Sequence, residues 1–254
     1  MTIGILDSGL GGYSVYHALR AAYPKAPFLF LADQLNAPYG DKSKDEIFKI
    51  VQEALAWFEK QQITEILVAC NTISSLALSE IKPLYPHLKI TGIIDLTVAQ
   101  FKDKDYRKIL VVATNATINS HAYQKEFSRI KPEVEVFEHA LPRLVVQLEG
   151  LAPLEETETY LNETLAQYRN KIDAIVLACT HYPLVKSSFE DLLEVPSFDS
   201  QNAIIDLYAT RDLGVGCSHV MTTKDPSYMA KQIKVLFNTE VCVELAQVKS
   251  CKSL

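Results

Sequence analysis

Long apolar segments are missing from this sequence. Its apolar runs, such as Ile109–Ala113, are only a few residues long, whereas a helix needs roughly 20 apolar residues to cross a bilayer. The first residues also lack the positive region and apolar stretch of a secretory signal. We therefore expect a cytoplasmic chain with no membrane partner.

Cysteine is sparse, and positive charge is not in excess. The five cysteines are widely spaced and include no Cys-x-x-Cys pair, which argues against a disulfide framework or a structural zinc site and favours free thiols. The formal net charge of -6 at pH 7 leaves no basic surface of the kind that binds nucleic acid. We expect neither a metal site nor a nucleic-acid partner.

The length of 254 residues fits one large α/β domain or two of ordinary size. Short apolar runs typical of strands alternate along the chain with longer stretches of helical periodicity, which predicts parallel sheets covered by helices. Strands are predicted at 2–6, 28–32, 65–69, 89–93, 108–113, 133–137, 173–178 and 239–245. Helices are predicted at about 13–22, from Ser43, and at 74–81, 117–127, 155–168, 181–193 and 226–235. Ser43 with Glu46 three residues on is a capping-box pattern, and Asp225-Pro226 is typical of an N-cap and a first helical position.

One internal similarity stands out from this alternation. Ile66–Thr72 reads I-L-V-A-C-N-T, and Ile175–His181 reads I-V-L-A-C-T-H. Both combine an apolar strand, alanine, cysteine, a polar residue and then a helix, and their cysteines lie 109 positions apart. This spacing is about the size of a small domain, so the pattern predicts two related α/β halves that each place one cysteine at the same structural position.

The two matched cysteines, Cys70 and Cys179, suggest proton transfer. Ligands of parallel α/β sheets bind beyond the carboxyl ends of the strands, and a helix start there favours the thiolate and lowers the pKa of a cysteine from its usual value of about 8.5. One thiolate could then remove a proton from a stereocentre while a thiol on the other face donates one. A cysteine after a strand is also often a small buried hydrophobic residue, so the residues alone leave both interpretations open.

The remaining cysteines, Cys217, Cys242 and Cys251, lack this context. Cys242 lies in an alternating run and is expected to be a packing residue.

Two loops follow predicted strand ends. Asp7–Gly12 reads D-S-G-L-G-G, and its glycines permit a tight turn and a close approach of the backbone to a ligand. The glycine spacing does not match the G-x-G-x-x-G dinucleotide-binding motif, and the G-K-S/T of a phosphate-binding P-loop is missing. Asp7 would in addition repel a phosphate. In the second loop, Pro38 and Gly40 fix an irregular backbone around Tyr39.

Six segments taken together closely resemble the glutamate racemases, within the cofactor-independent aspartate/glutamate racemase family. They occur in the family's order and cover roughly residues 3 to 190. The stronger matches are Gly4–Gly12, Pro38–Gly40, Val68–Thr72 and Leu177–Leu184, and the weaker ones are Ala113–Ser120 with Tyr123 and Leu144–Gly150. Departures from the family pattern lie at Asp95-Leu96, Val145–Gln147 and Phe198–Ala203.

The resemblance implies an α/β fold of two similar doubly wound domains with mainly parallel sheets and an active site between them. The first would comprise 1–95 plus about 207–254, and the second 96–206. It also implies two catalytic thiols, Cys70 with Asp7 and Cys179 with Glu149 and His181, and no pyridoxal phosphate or other cofactor. The substrate contacts that it implies are Asp7, Ser8, Pro38, Tyr39, Gly40, Asn71, Thr72, Thr117, Thr180 and His181.

The function implied by the resemblance is racemisation of L-glutamate to D-glutamate for peptidoglycan precursors, and a homodimer is compatible with it. Two alternatives stay open on the sequence: a two-thiol racemase that acts on aspartate or another amino acid, and a catalytically weak member that serves as a binding or regulatory protein. One methylene in a side-chain pocket is worth only about 1–3 kcal/mol, so the sequence does not separate glutamate from aspartate.

Overall fold

The strands form two sheets, whose pairings are all parallel in the computed structural model that describes residues 1–248. The first sheet has the strand order β10-β9-β2-β1-β3-β4 and the second β6-β5-β7-β8. The first contains β1 (Ile3–Asp7), β2 (Phe28–Ala32), β3 (Glu65–Val68), β4 (Lys89–Gly92), β9 (His219–Thr222) and β10 (Val243–Leu245). The second contains β5 (Lys108–Ala113), β6 (Glu135–Ala140), β7 (Ala174–Ala178) and β8 (Ser197–Phe198).

Helices connect and cover these strands, as the alternation in the sequence predicts. Those before the second sheet are α1 (Gly12–Ala22), α2 (Lys44–Lys60), α3 (Asn71–Leu76), α4 (Leu78–Ile81) and α5 (Ile94–Ala99). Those that follow are α6 (Asn115–Ser120), α7 (Ala122–Ile130), α8 (Pro142–Glu149), α9 (Leu154–Leu165), α10 (Lys186–Leu193), α11 (Gln201–Tyr208) and α12 (Pro226–Phe237). Within residues 1–248, no helix combines the length and apolar character needed to cross a bilayer.

Each sheet has an apolar core on both faces. In the first sheet, Leu6 and Val68 belong to one buried cluster, while Ile5 and Leu67 belong to another. Successive side chains of a strand point to opposite faces, so the continuous apolar runs of the sequence supply both cores. The second sheet repeats this arrangement with two further clusters. The predicted fold class of two parallel-sheet α/β units is confirmed, and we call the units around the two sheets the first and second lobes.

The chain crosses between the lobes twice. On the way out, Ile94 and Val98 of α5 pack against the second sheet. On the way back, Ile204 and Tyr208 of α11 pack with the core of the first lobe. The first sheet is completed by β9 and β10 from the later part of the chain. The residue numbers at which the two domains divide remain a prediction.

Several elements differ from the sequence expectation. The helix predicted over 117–127 is broken at His121, whose φ of 53° is left-handed. The helix predicted from 181 begins as a 3₁₀ turn, Tyr182–Val185, with Pro183 in its first turn, and becomes α-helical at α10. Short helices α5, α8 and α11 and strands β8 and β9 were missed, because they span too few residues to show a period.

The last predicted strand, 239–245, is shortened to β10. Cys242 precedes β10 and is exposed, so the expectation that it packs is wrong. Cys251, for which no role was predicted, lies outside the described residues.

Two helix starts follow the sequence signals closely. At α2, the Ser43 side chain and Glu46 form the predicted reciprocal capping box. At α12, the Asp225 carboxylate accepts from the N–H groups of Ser227 at 2.9 Å and Tyr228 at 3.1 Å, and Pro226 is in the first turn. The N-cap at Asp225 fixes the start of α12, a helix that contributes to the wall of the active-site cavity.

Candidate active site

A cavity of about 330 Å³ lies between the lobes, beyond the carboxyl ends of both sheets. Most of the predicted site residues line it: Ser8, Pro38, Tyr39, Gly40, Cys70, Asn71, Thr72, Glu149, Cys179, Thr180 and His181. Two do not. Asp7 is fully buried behind the glycine loop and Thr117 is buried behind Thr114, so neither faces the cavity. Their prediction as substrate contacts is not supported by their placement.

Cys70 is held where β3 ends, at the N-cap of α3. Its thiol lies 3.7 Å from the hydroxyl oxygen of Ser8 and is 4% exposed. Burial, reinforced by the nearby Asp7 carboxylate, raises the pKa of Cys70 to about 12, although the backbone N–H of Ile73 acts in the opposite direction. The expectation of a lowered pKa is therefore wrong for this thiol, because desolvation outweighs the helix start.

Asp7 is the last residue of β1 and lies beneath the loop that follows it. One carboxylate oxygen accepts from the N–H groups of Gly9 and Gly12, both at 3.0 Å, and the other accepts from the Thr180 hydroxyl at 3.2 Å. Burial raises the pKa of Asp7 to about 6, even though His181 and these hydrogen bonds favour the ionised form. Asp7 therefore joins the two lobes and lies close enough to Cys70 to influence its charge.

Cys179 follows β7 and is paired with an imidazole. Its sulfur lies 3.7 Å from Nδ1 of His181, whose Nε2 lies 2.8 Å from Oε1 of Glu149. Burial opposes a charged imidazole, but the Cys179 and Glu149 side chains together raise the pKa of His181 well above 6.5. The hydrogen bond to His181 likewise lowers the pKa of Glu149 against the effect of its burial. A thiol, an imidazole and a carboxylate thus form a line along which a proton can be exchanged.

The glycine loop of the first lobe closes on this group. The backbone N–H of Leu10 donates to Oε1 of Glu149 at 3.1 Å, and that of Gly11 points at Nε2 of His181 at 3.1 Å. A Cβ at Gly9 would lie 2.3 Å from the Glu149 carboxylate, and one at Gly11 would lie 2.4 Å from the His181 ring. These glycines are therefore required by close approach to the opposite lobe.

Nε2 of His181 has a different partner for each protonation state. The N–H of Gly11 can bond it only when this nitrogen carries no proton, whereas Glu149 accepts from it when it does. The raised pKa of His181 favours the pairing with Glu149.

Polar side chains of the cavity wall are also tied across the lobes. The Tyr123 hydroxyl donates to Oδ1 of Asn71 at 2.6 Å, which leaves the amide N–H groups of Asn71 available for a ligand. The hydroxyl oxygens of Thr72 and Thr114 lie 3.1 Å apart. Thr117 lies behind Thr114 and accepts a hydrogen bond from its hydroxyl at 3.1 Å. Tyr39 is fixed by donating to the Asp33 carboxylate at 2.6 Å.

The sequence analysis missed several residues of the wall. Thr114 and Asn115 lie within Ala113–Ser120, a segment that resembles the family, and this resemblance is the signal that could have identified them. Gln34 and Asp41 give no local signal, and Lys224, Tyr228 and Gln232 come from the region after Pro196, where the sequence pattern is weak. The missed residues with polar side chains are Gln34, Asp41, Thr114, Asn115, Lys224, Tyr228 and Gln232.

No cluster of three or more His, Cys, Asp or Glu side chains that could hold a metal ion occurs in residues 1–248. The cavity wall instead offers hydroxyl and amide groups around two thiols. These groups suit a small polar substrate, and the thiols suit proton transfer.

Comparison with known proteins identifies the family of this chain. Residues 4–208 match the family described as Asp/Glu/Hydantoin racemase. The chain belongs to this family. It is thus an isomerase of the amino-acid racemase type, which confirms the prediction made from the sequence motifs.

Relatives within the family are similar over most of their length. The glutamate racemase of Gloeobacter violaceus is 38% identical over 195 residues, which cover 76% of this chain and 73% of the relative. That of Aquifex aeolicus is 33% identical over 250 residues, 95% of this chain and 96% of the relative.

Solved structures agree with the racemase fold. The Francisella tularensis glutamate racemase in complex with D-glutamate superimposes with a TM-score of 0.87 at 27% identity, covering 98% of each chain. The Picrophilus torridus aspartate racemase gives a TM-score of 0.60 at 18% identity, covering 82% of this chain and 93% of the other, and this likeness concerns the fold alone.

Proposed function

We propose that this racemase inverts the Cα of glutamate by proton transfer between Cys70 and Cys179, without a cofactor. The observation that carries the proposal is that each lobe contributes one thiol to the same cavity. Each thiol has its own acid–base neighbours, Asp7 for Cys70 and the His181–Glu149 pair for Cys179. Glutamate is favoured as substrate because relatives that are 33% identical over nearly the whole chain are glutamate racemases.

The raised pKa of Cys70 determines the protonation state of this thiol at the start of the reaction. With a pKa of about 12 in the free protein, Cys70 is a thiol at neutral pH and acts first as a proton donor. In this direction the Cys179 thiol first gives its proton to Nδ1 of His181, 3.7 Å from the sulfur, and the resulting thiolate removes the α-proton. In the reverse direction Cys70 must lose its proton, and the ammonium group of a bound amino acid, a positive charge in a buried site, favours that loss.

Binding must stabilise the carbanion, since no cofactor absorbs its charge. The donors proposed for the α-carboxylate are the Asn71 amide and the Thr72 hydroxyl, which line the cavity. The Thr180 hydroxyl also lines it, but its single proton is donated to Asp7 and would have to turn away from that carboxylate to reach a substrate. Tyr123 fixes the amide of Asn71, and Thr114 contacts Thr72, so these donors are oriented before substrate enters. Loss of one oriented donor in comparable sites costs about 3–4 kcal/mol of transition-state stabilisation.

The decisive experiment incubates the purified protein with single enantiomers of glutamate and of aspartate in D₂O, without added cofactor. Circular dichroism follows inversion, and proton NMR follows deuterium at Cα. We expect inversion of glutamate with solvent deuterium in the product. Faster inversion of aspartate would favour the aspartate alternative, and inversion of neither would contradict the racemase proposal and favour a binding role.

The thiol roles are tested by Cys70→Ser and Cys179→Ser, each of which should abolish inversion. Cys217→Ser is the matched control, because Cys217 is exposed and does not line the cavity. Wild-type racemisation by either of the first two variants would contradict the two-base mechanism.

The cellular role proposed is supply of D-glutamate for peptidoglycan precursors in the cytoplasm. Rescue of a D-glutamate-requiring bacterial strain by the gene, and failure of the Cys70→Ser variant to rescue it, is the expected result. A homodimer is part of the same proposal, and light scattering after size-exclusion chromatography tests it.

A further inference from the structure

A relay of side-chain hydrogen bonds runs from the first lobe to the backbone of Glu149. The Thr222 hydroxyl donates to Oε1 of Gln34 at 2.8 Å. The amide of Gln34 donates to Oε1 of Gln232 at 3.1 Å, and the amide of Gln232 donates to the carbonyl oxygen of Glu149 at 2.7 Å. The relay therefore starts at the end of β9 and reaches the last residue of α8 in the opposite lobe.

The relay is buried, and its direction is fixed. Thr222, Gln34 and Gln232 are exposed by 0%, 7% and 1%. Each amide accepts at its oxygen and donates at its nitrogen, so turning either one over would break both of its bonds. Buried polar groups without partners are costly, and the three side chains consequently hold one another in a single arrangement.

The carbonyl at the end of the relay has no partner within its own helix. The last carbonyls of an α-helix lack intrahelical donors, and that of Glu149 receives two side-chain donors from α12. Gln232 donates at 2.7 Å from a buried position, and the exposed Tyr228, one turn earlier, donates at 3.2 Å. The end of α8 is thus tied to a helix of the first lobe.

Glu149 is therefore held by the first lobe at both ends. Its carboxylate accepts from the Leu10 N–H, and its carbonyl accepts from Gln232. The same carboxylate lies 2.8 Å from Nε2 of His181. Movement of the carbonyl would shift the carboxylate against the imidazole, and the imidazole is the group that lies beside Cys179.

We propose that Gln232, aligned by Gln34 and Thr222, is a positioning residue that holds Glu149 against His181 when the two lobes are together. This inference rests on the proposed racemisation, in which the His181–Glu149 pair serves Cys179. Because the donor belongs to one lobe and the acceptor to the other, separation of the lobes releases Glu149. The relay couples the assembly of this proton-exchange group to lobe closure.

The test compares Gln232→Met with Gln100→Met. Both substitutions replace an amide by a side chain of similar length and remove one 2.7 Å bond to a backbone carbonyl, since Gln100 donates to that of Asp199. Gln100 does not line the active-site cavity. We expect kcat/KM for glutamate to fall about 10- to 100-fold in Gln232→Met, the scale of an approximately 1 Å displacement, and to stay within about threefold of wild type in Gln100→Met.

A second pair of variants separates the bond to Glu149 from the rest of the relay. Gln232→Glu can still accept from Gln34 but, when ionised, cannot donate to the Glu149 carbonyl. It should therefore lose as much activity as Gln232→Met. Retention of wild-type activity by Gln232→Glu at a pH at which the new carboxyl is ionised would show that the donated bond is not used. Gln34→Met should add little to the loss already caused by Gln232→Met, because both act through one carbonyl.

A readout independent of turnover is the NMR titration of His181, assigned by its absence in His181→Gln. Glu149 raises the pKa of His181, so Gln232→Met should lower it and Gln100→Met should not. An unchanged titration in folded Gln232→Met overturns the positioning role, whatever the activity. Failure of the wild-type protein to racemise glutamate overturns the proposed function instead, while the titration still decides whether Gln232 positions the pair.

Discussion

Replacing Gly11 by alanine tests whether the contact between the glycine loop and His181 is required for activity. Gly11 has φ −53° and ψ −39°, a right-handed conformation that alanine adopts without strain. The added Cβ would nevertheless lie 2.4 Å from Nδ1 of His181 and 2.5 Å from Oγ1 of Thr180. Any effect of the substitution therefore comes from the opposite lobe and not from the backbone.

The size of the effect follows from these distances. An ordinary contact of a Cβ begins at about 3.4 Å, so the imidazole or the loop must move by about 1 Å. Displacement of this size in a catalytic group costs about 100-fold in rate. Overpacking costs about 1–3 kcal/mol of stability, offset by about 0.4–1 kcal/mol from the stiffer unfolded chain. We expect a small loss of stability and a large loss of kcat/KM.

Racemisation followed by circular dichroism and thermal unfolding measure the two effects side by side. Gly216→Ala is the control, since Gly216 is exposed and its Cβ would meet only the ring of Pro27, at 3.1 Å. Its activity should equal that of the wild type. A folded Gly11→Ala protein with kcat/KM within threefold of wild type would refute the argument that the loop must approach His181 this closely.

Three further predictions use the buried groups. The pKa of Asp7 is about 6 in the folded protein against an ordinary value of 3.8, so ionisation of this residue destabilises the fold by about 3 kcal/mol as pH rises through that interval. The stability of Asp7→Asn relative to wild type, measured by urea unfolding, should therefore increase between pH 4 and 7. A difference that stays constant with pH would contradict this. At pH 8, iodoacetamide should label the exposed Cys217 and Cys242 long before buried Cys70, and mass spectrometry showing equal rates would disprove the protection. Tyr123→Phe leaves Oδ1 of buried Asn71 without its partner, so we expect about 1–3 kcal/mol lower stability, and an unchanged urea midpoint would count against that bond.

The sequence determined the elements that depend on local pattern. Continuous apolar runs such as Ile175–Ala178 predicted buried parallel strands, and both catalytic candidates, Cys70 and Cys179, were located by the residues immediately around them. The capping box at Ser43 was readable for the same reason, because its partners are three residues apart. The family motifs supplied Glu149 and His181, which no local argument would have joined.

Only the tertiary structure decided the properties that depend on distant neighbours. The pKa of Cys70 rises to about 12 because the folded chain removes the thiol from water and brings Asp7 near it, an effect absent from the strand-to-helix pattern. Gln232 meets the carbonyl of Glu149 across 83 positions of sequence, and Thr117 turned out to lie behind Thr114. Local pattern fixes where strands end and helices begin, whereas burial and contact between the lobes are set only when the two sheets face each other.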